Sequence, residues 1–439
     1  MSQVPDFGSW GGVFSPSQRI VRMPDRTAPL PLPAEGSVLP YGLGRSYGDC
    51  CLNDGNTLVR ARDLDHFIAF DAASGILRCE AGVTLAEITE FALPRHFFLP
   101  VTPGTRFVTL GGAIANDVHG KNHHRAGSMG HHVMRFEVLR SDGSRTVCSA
   151  GENESLFRAT IGGLGLTGLI TWAEIRLQPV KSTWIRQRAM RFASLHAFFE
   201  LCEPVEREHE YVVAWLDCAA AGSNRGILFA GDHARSAVPP ARRPTRSMPI
   251  TPPVSLVNRL TVRAFNELYY RMPRDDAPTL VPCEAFFYPL DSVHHWNRIY
   301  GPRGFFQYQC VVPEPGGRDA LAGLLDRIAC SGRGSFLTVL KRFGAMPPAG
   351  MMSFPRPGYT LAVDLPNQGG RTLELLESLD RIVVDAAGRV YPAKDARMSP
   401  ASFRAFYPEW SAFARFVDPR FSSSFWRRVT GGESMAPRA

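Results

Sequence analysis

Between Pro103 and His124 the chain reads PGTRFVTLGGAIANDVHGKNHH, packing Gly104, Gly111, Gly112 and Gly120 with His119, His123, His124, Asp117 and Lys121 into 22 residues. Core helices and strands do not carry glycine at that density, because each glycine costs backbone entropy and adds no packing area. Loops that lay main-chain N–H groups against a phosphate do need it, since a Cβ would hold the ligand away. A second glycine loop, with Gly42, Gly44 and Gly48 in PYGLGRSYGDC, precedes the first, and the two are expected to converge on one diphosphate. Lysine is scarce: Lys121, Lys181, Lys341 and Lys394 stand against 45 arginines. Where arginine is so favoured, a retained lysine marks a place for a compact, titratable ammonium.

Other chemistries fit less well. GLGLTG (Gly163, Gly165, Gly168) matches the dinucleotide fingerprint as a string, but a helix is expected before it and a strand after it, and no acid lies between Glu174 and Glu200 to hold a ribose. His119, His123, His124, His131 and His132 lack metal-ligand spacing, so no metal site is expected. No G-x-S-x-G nucleophile elbow occurs. The net charge of +8 admits nucleic acid, an anionic substrate or a membrane surface. No nucleic-acid module accompanies it, and the arginine skew more often reflects a GC-rich genome than a function.

A chain of 439 residues is expected to form two domains. The N-terminus lacks a basic region followed by an apolar core, so no secretory signal is expected. Nine scattered cysteines without a C-x-x-C pair suit reduced thiols in a cytosolic protein. Residues 1–36, rich in Pro and Gly, read as an arm with little regular structure. A short strand then ends in the first glycine loop. Strands around Ala73-Ser74-Gly75 give way to helical spacing at Leu85, Ile88 and Phe91 after Thr84. Residues 132–148 read as a hairpin turning at Ser141-Asp142-Gly143, followed by a helix from about Gly151 and a strand over 169–177. Beyond Pro179 the glycine density falls, and strands alternate with helices over 194–202, 318–330 and 371–386, which predicts an antiparallel sheet under helices. Residues 234–266 hold six arginines, six prolines and no acid, and read either as a solvated mobile loop or as a surface for anionic lipid or substrate. Residues 398–439 form an aromatic, arginine-rich tail expected to be helical and to return to the first domain.

LPYGLGRSYGD, the 103–124 stretch, GLTGLI and YPAKDAR together resemble the vanillyl-alcohol-oxidase-like, PCMH-type FAD flavoproteins. WNRIYGPRGFFQYQ, SFLTVLKRFG and the tail motifs YPEW and FVDPR extend the resemblance over nearly the whole length. It implies an α+β, two-domain flavoprotein, with a discontinuous FAD-binding domain (1–182 completed by 389–439) and a substrate domain (183–388) with an antiparallel sheet over the flavin. The implied activity is oxidation of a sugar secondary hydroxyl to a ketone by hydride transfer to flavin N5. The implied substrate is a polyprenylphosphoryl ribose oxidised at its 2′ position, the first half of an epimerisation to the arabinose donor of cell-wall arabinans. A short-chain dehydrogenase/reductase would be the pathway partner. The location would be cytoplasmic, with a peripheral contact at the inner membrane face. The alternative on the same fold is an oxidase or dehydrogenase of a soluble sugar, alditol or aldonolactone.

Carried over residue by residue, the resemblance assigns the cofactor to Tyr41, Gly42, Leu43, Gly44, Arg45, Ser46, Tyr47, Gly48, Asp49 and Cys50 in the first loop. It adds Gly104, Thr109, Leu110, Gly111, Gly112, Asn116, Asp117, Val118 and His119 in the second loop, with Ile170 and Tyr391. Relatives with covalent flavin carry a histidine where Ser46 stands, so FAD is expected to be non-covalent. Lys394, His119 and Lys121 are the implied catalytic residues, and Trp215, Phe287, Gln307, Gln309, Lys341, Thr360 and Ala362 the implied substrate contacts. Phe287 and Ala362 depart from the nearest pattern, which has tyrosine and cysteine there; Tyr288 is the neighbouring candidate to restore the lost hydroxyl.

Overall fold

The computed structural model describes residues 7–219, 222, 224–236, 245–273, 277–431, 435 and 437–438. Strands β1 (Arg19–Arg22), β2 (Val38–Tyr41) and β3 (Thr57–Arg60) form a small parallel sheet with β3 in the middle. The N-terminal arm is therefore less irregular than its composition suggests. Its strand is four residues long, exposed at both ends, and takes its partner from residues 57–60, beyond the reach of local pattern.

β4 (Phe67–Asp71) and β5 (Ile76–Glu80) pair across the expected turn, and α1 (Leu85–Ala92) follows. Thr84 and Glu87 make a reciprocal capping box at its start, which satisfies two otherwise orphaned N–H groups. α2 (Leu110–Ala115) begins at Thr109, whose hydroxyl accepts the Gly112 N–H. β6 (Val133–Leu139) and β7 (Arg145–Ser149) form the expected hairpin. α3 (Glu154–Thr160) starts later than Gly151 because Asn153, at φ +52°, holds a left-handed turn before it. β8 (Leu169–Arg176) completes a five-stranded antiparallel sheet in the order β4-β5-β8-β6-β7. Leu110 and Ile114 bury against Leu77, Phe136 and Ile175 of this sheet, so the glycine-rich stretch is backed by a packed wall.

The second sheet is larger. It uses β9 (Trp184–Phe192), β10 (Tyr211–Leu216) and β11 (Gly226–His233), which are joined by α4 (Leu195–Glu208) and the β10–β11 turn. Helix α5 (Arg259–Arg271) precedes β12 (Thr279–Pro282). Then come β13 (Phe305–Val312), α6 (Gly317–Cys330), β14 (Thr338–Phe343), β15 (Gly358–Pro366), α7 (Gly370–Asp385) and β16 (Arg389–Val390). The eight strands are antiparallel in the order β12-β9-β11-β10-β14-β15-β13-β16. Successive strand residues face opposite sides. Ala214, Leu228, Tyr308, Cys310, Leu340, Leu361 and Val363 face a core shared with Phe198, Leu324, Ile328, Leu376 and Leu379 of α4, α6 and α7. Their neighbours Trp215, Gln309, Val339, Lys341, Thr360 and Ala362 face the other way, towards the glycine loops.

Two expectations are corrected. α4 does not end at Cys202 but runs through Pro204 to Glu208, where Glu206 is held in the buried face by Arg342. The supposed loop of residues 234–266 contains the start of α5, capped by the Asn258 side chain on the N–H groups of Leu260 and Thr261; residues 237–244 lie outside the described residues.

The tail forms α8 (Pro400–Phe406), α9 (Trp410–Ala414) and α10 (Ser424–Thr430). It returns to the first sheet: Val38 N–H donates to Arg420 C=O at 2.8 Å, and the Arg428 guanidinium grips Asp49 through Nε (2.9 Å) and Nη2 (2.7 Å) and Asp395 through Nη2 (2.9 Å).

Candidate active site

The two glycine loops touch. A Cβ on Gly42 would lie 2.5 Å from Thr109 Oγ1, so only glycine lets the first loop approach the cap of α2. Gly44 holds φ +59°, and a Cβ there would meet Tyr41 Oη at 2.1 Å. Arg45 closes the junction, donating from Nε to Phe107 C=O at 3.1 Å, with its guanidinium 4.2 Å from the Trp10 ring centroid. Among the described residues, the main-chain N–H groups of Leu43, Gly44, Arg45 and Ser46 have no protein acceptor. Leu43, Arg45 and Ser46 are half-buried and Gly44 is buried, and a run of four free main-chain donors beside a cavity is a cradle for an anion. A Cβ on Gly104 meets nothing within 4 Å and one on Gly112 meets only Thr109 Oγ1, so both would project into the cradle.

One cavity of ≈ 440 Å³ joins these loops to the second sheet; cofactor and ligand sites typically span roughly 300–1,000 Å³. Gly42, Leu43, Gly44, Arg45, Ser46, Tyr47 and Cys50 line it from the first loop. Gly104, Thr109, Gly111, Gly112, Asn116, Val118 and His119 line it from the second, with Ile170 and Tyr391. Five residues expected in the cofactor set sit behind this wall instead. Tyr41 donates its hydroxyl to Gly8 C=O at 2.7 Å, and Leu110 is in the core. Gly48 packs against Asp395, Asp49 is taken by Arg428, and buried Asp117 accepts from Ser128 Oγ and Gly130 N–H. Each holds a loop in place and faces away from the cavity.

The cavity floor is the face of β10, β14, β15 and β13 turned towards the glycine loops. Cross-strand register sets Gln309 opposite Ala362 and Ala362 opposite Val339, with Lys341 opposite Thr360 and Gln307 opposite Asp364. Three amines reach this space. Lys394 Nζ sits 3.8 Å from the Tyr47 ring centroid, and burial lowers its pKa to about 8 while Asp364 acts against that fall. Lys341 Nζ lies 3.1 Å from His119 Nδ1 and 3.4 Å from Gly120 C=O; burial, then the charges of Lys121 and Lys394, lowers it to about 7. Lys121 donates to Phe286 C=O and lies 4.4 Å from the Phe286 ring centroid, and burial lowers it to about 7. Burial, and secondly Lys341, pushes the His119 imidazole well below its ordinary range, so it is neutral. Gln309 Nε2 lies 2.9 Å from His119 Nε2 and 3.3 Å from Thr360 Oγ1.

Gln307 Nε2 donates to Asp364 Oδ1 at 2.5 Å, and burial pushes the Asp364 carboxyl up to about 7. Asp364 is a partner that the sequence reading misses, although its spacing from Thr360 and Ala362 places it on the same strand face. Asp364 is fully buried behind the lining; Trp10, Asp291 and Tyr269 do line the cavity, and no local spacing links them to the glycine loops. Trp215 Nε1 donates to Phe336 C=O at 2.9 Å, and its ring meets Tyr269 edge-on. Phe287 lines the cavity, but Tyr288 does not replace the missing hydroxyl: its Oη is hydrogen-bonded to Thr102 Oγ1 at 2.8 Å in the core. The other histidines of the stretch bond elsewhere. His123 accepts Gly344 N–H, and His124, His131 and His132 meet the carbonyls of His209, Pro347 and Ala126.

An anion cradle at one end and three amines, a neutral imidazole and two amides at the other suit a phosphate-bearing cofactor beside a hydroxylated substrate. Residues 34–149 match the family model described as FAD binding domain. The chain is 37% identical over 413 residues to a decaprenylphosphoryl-beta-D-ribose oxidase of Mycolicibacterium smegmatis, covering 89% of each chain. It is 37% identical over 373 residues to an uncharacterized protein of Streptomyces coelicolor, covering 79% of this chain and all of that one. It is 28% identical over 155 residues to a delta(24)-sterol reductase of Mus musculus, covering 35% of this chain and 29% of that one.

Proposed function

The chain belongs to the decaprenylphosphoryl-β-D-ribose oxidase family of α+β, two-domain, FAD-dependent oxidoreductases, and on that premise we propose that it oxidises the 2′ hydroxyl of a polyprenylphosphoryl ribose to a ketone. The observation that carries this reading is the meeting of both glycine loops with the amine-bearing sheet face in one cavity. FAD would be held by main-chain amides of residues 43–46 and by the open cradle at Gly104 and Gly112. Ser46, which has no imidazole, leaves it non-covalent. When bound, the flavin supplies the acceptor for a hydride from the sugar carbon.

The protein's own residues do the rest. Gln307 and Gln309 present amides from one face of β13 and orient the sugar hydroxyls. Lys341 and Lys121, with amines near neutrality, take up or release the hydroxyl proton near pH 7 and bind the phosphodiester when charged. Lys394 remains charged below about pH 8 and balances negative charge that develops in the site. Trp215 and Phe287 exclude water.

Residues 1–182 and 389–439 act as the cofactor unit and 183–388 as the substrate unit; the Arg428–Asp49 pair ties the returning tail to the first loop and supports that division. A short-chain dehydrogenase/reductase would reduce the keto sugar at the same carbon, completing an epimerisation. No helix among the described residues is long and apolar enough to cross a membrane. A lipid-linked substrate calls for peripheral contact with the cytoplasmic membrane face.

The test is spectroscopic. Flavin should appear in the supernatant after acid precipitation, and anaerobic polyprenylphosphoryl ribose should bleach its visible band. Bleaching by a soluble alditol or aldonolactone but not by the lipid-linked sugar would overturn the substrate assignment.

A further inference from the structure

Twelve large apolar side chains are exposed among the described residues, and nine of them fall between Ile250 and Val293. Scattered exposed leucines need no explanation, but a cluster does. Leu260, Leu268 and Met272 of α5 and its C-cap are 79, 69 and 65% exposed and, with Ala264, recur every fourth residue, which makes one stripe along the helix. Ile250, Val254 and Leu256 extend the cluster into the preceding loop.

The opposite side of α5 is fully employed. Val262 and Asn266 are buried, Asn266 Nδ2 donates to Asp217 Oδ1 at 2.7 Å, and Tyr269 forms part of the cavity wall. Arg259 and Arg263 flank the apolar stripe, are exposed, and pair with no carboxylate among the described residues. Glu267, the one acid of the helix, is already bonded by Arg225 and Arg271. Among the described residues the stripe is thus unpartnered, apolar at its centre and cationic along its edge.

We propose that α5 and the 250–256 loop form a docking face for an anionic lipid bilayer, with Leu260, Leu268 and Met272 entering the acyl boundary and Arg259 and Arg263 meeting phosphate headgroups. Charge complementarity selects this occupant. A second copy of the chain would set like-charged arginines against one another, and a nucleic acid would make no use of the exposed leucines. Because Tyr269 lines the cavity, docking places the active site about one helix diameter, ~10–12 Å, from the bilayer surface. The inference rests on the lipid-linked substrate reading for its purpose only; the surface exists whatever the sugar is.

Cosedimentation of the flavin-loaded, full-length protein with vesicles of equal parts phosphatidylcholine and phosphatidylglycerol tests it. Binding is expected to weaken at least about tenfold on pure phosphatidylcholine, in Arg259→Gln/Arg263→Gln, and in Leu260→Ser/Leu268→Ser, all with the flavin spectrum unchanged. Wild-type protein that stays in the supernatant, or a Leu260→Ser/Leu268→Ser variant that binds undiminished, would overturn it. So would light scattering that shows a dimer abolished by that variant. Sugar oxidation is measured separately in detergent micelles, so loss of turnover there strikes the substrate assignment and leaves the docking face standing.

Discussion

Lys341 Nζ lies 3.1 Å from His119 Nδ1, while Gln309 Nε2 lies 2.9 Å from the other nitrogen of the same ring. A neutral imidazole has one donor and one acceptor nitrogen. If both neighbours donate, one contact is unsatisfied; the trio is satisfied when Lys341 is neutral and accepts from Nδ1–H. It is also satisfied when Gln309 turns its carbonyl to Nε2–H, with the Thr360 hydroxyl following. A charged Lys341 can only donate and so requires the Nε2–H tautomer with the Gln309 carbonyl turned to it, whereas the neutral amine admits either arrangement.

Replacing Lys341 with Met removes the amine and keeps the bulk of the stem. The rate of flavin bleaching by substrate is expected to fall about 10²–10⁴-fold, the usual span for a general acid–base group. Flavin content should not change, because Lys341 lies on the sheet face and not in the loops that hold the cofactor. Rapid-mixing absorbance against an equilibrium flavin titration separates the two effects.

Lys394→Ala should likewise retain flavin and lose bleaching, here by about 10²–10³-fold, since it removes a positive charge aimed at the site. A variant that bleaches at the wild-type rate removes Lys394 from the mechanism.

Burial lowers Lys121 and Lys341 to about 7 and Lys394 to about 8 from the ordinary 10.5. Between those values the unfolded chain binds more protons than the folded one, so these groups make stability rise with pH from about 7 to 10.5. The flavin-free Lys341→Met variant is expected to melt above wild type at pH 7, with the gap closing by pH 10.5. A gap that stays constant across a pH series of thermal melts would show that Lys341 is not desolvated in the fold.

Arg428 is 7% exposed and is shared between two buried carboxylates, Asp49 and Asp395. Arg428→Met leaves buried Asp49 without its ion-pair partner, while Asp395 keeps Arg397 at 3.9 Å and main-chain N–H donors, and should cost about 3–5 kcal/mol, read as a shifted denaturant midpoint. Flavin should bind more weakly as well, because Asp49 anchors the first loop. Arg428→Lys should not restore stability, since an ammonium cannot make the two-pronged contact.

Gly104 and Gly48 should respond in opposite ways. A Cβ at Gly104 meets no atom, so Gly104→Val should fold with a normal far-ultraviolet spectrum and fail to bind FAD. A Cβ at Gly48 would lie 1.7 Å from Asp395 C=O, so Gly48→Ala should fail at the folding step, seen as loss of soluble protein.

Much of the site was legible locally. Glycine marked the two loops because main chain that meets a ligand or another backbone closely tolerates no Cβ. Period-two spacing put Gln307 with Gln309; Thr360 and Ala362 came from the family resemblance, although the same rule would have joined them to Asp364. Leu85, Ile88 and Phe91 announced α1 after Thr84 through their spacing alone. What stayed hidden depended on partners distant in the chain: the edge strand at 19–22, the hydroxyl of Tyr288 consumed by Thr102, and the pairing of Arg428 with Asp49 across 379 residues.

Residue type and short spacing thus determined by themselves where phosphate-binding loops lie, which strand faces carry polar groups, and which lysines are too costly to keep without a use. Tertiary structure alone decided which of those groups share one cavity, which sit behind its wall, and how far burial shifts each amine. Backbone freedom and side-chain alternation are properties of neighbouring residues, whereas desolvation and ion pairing arise only when distant segments exclude water together.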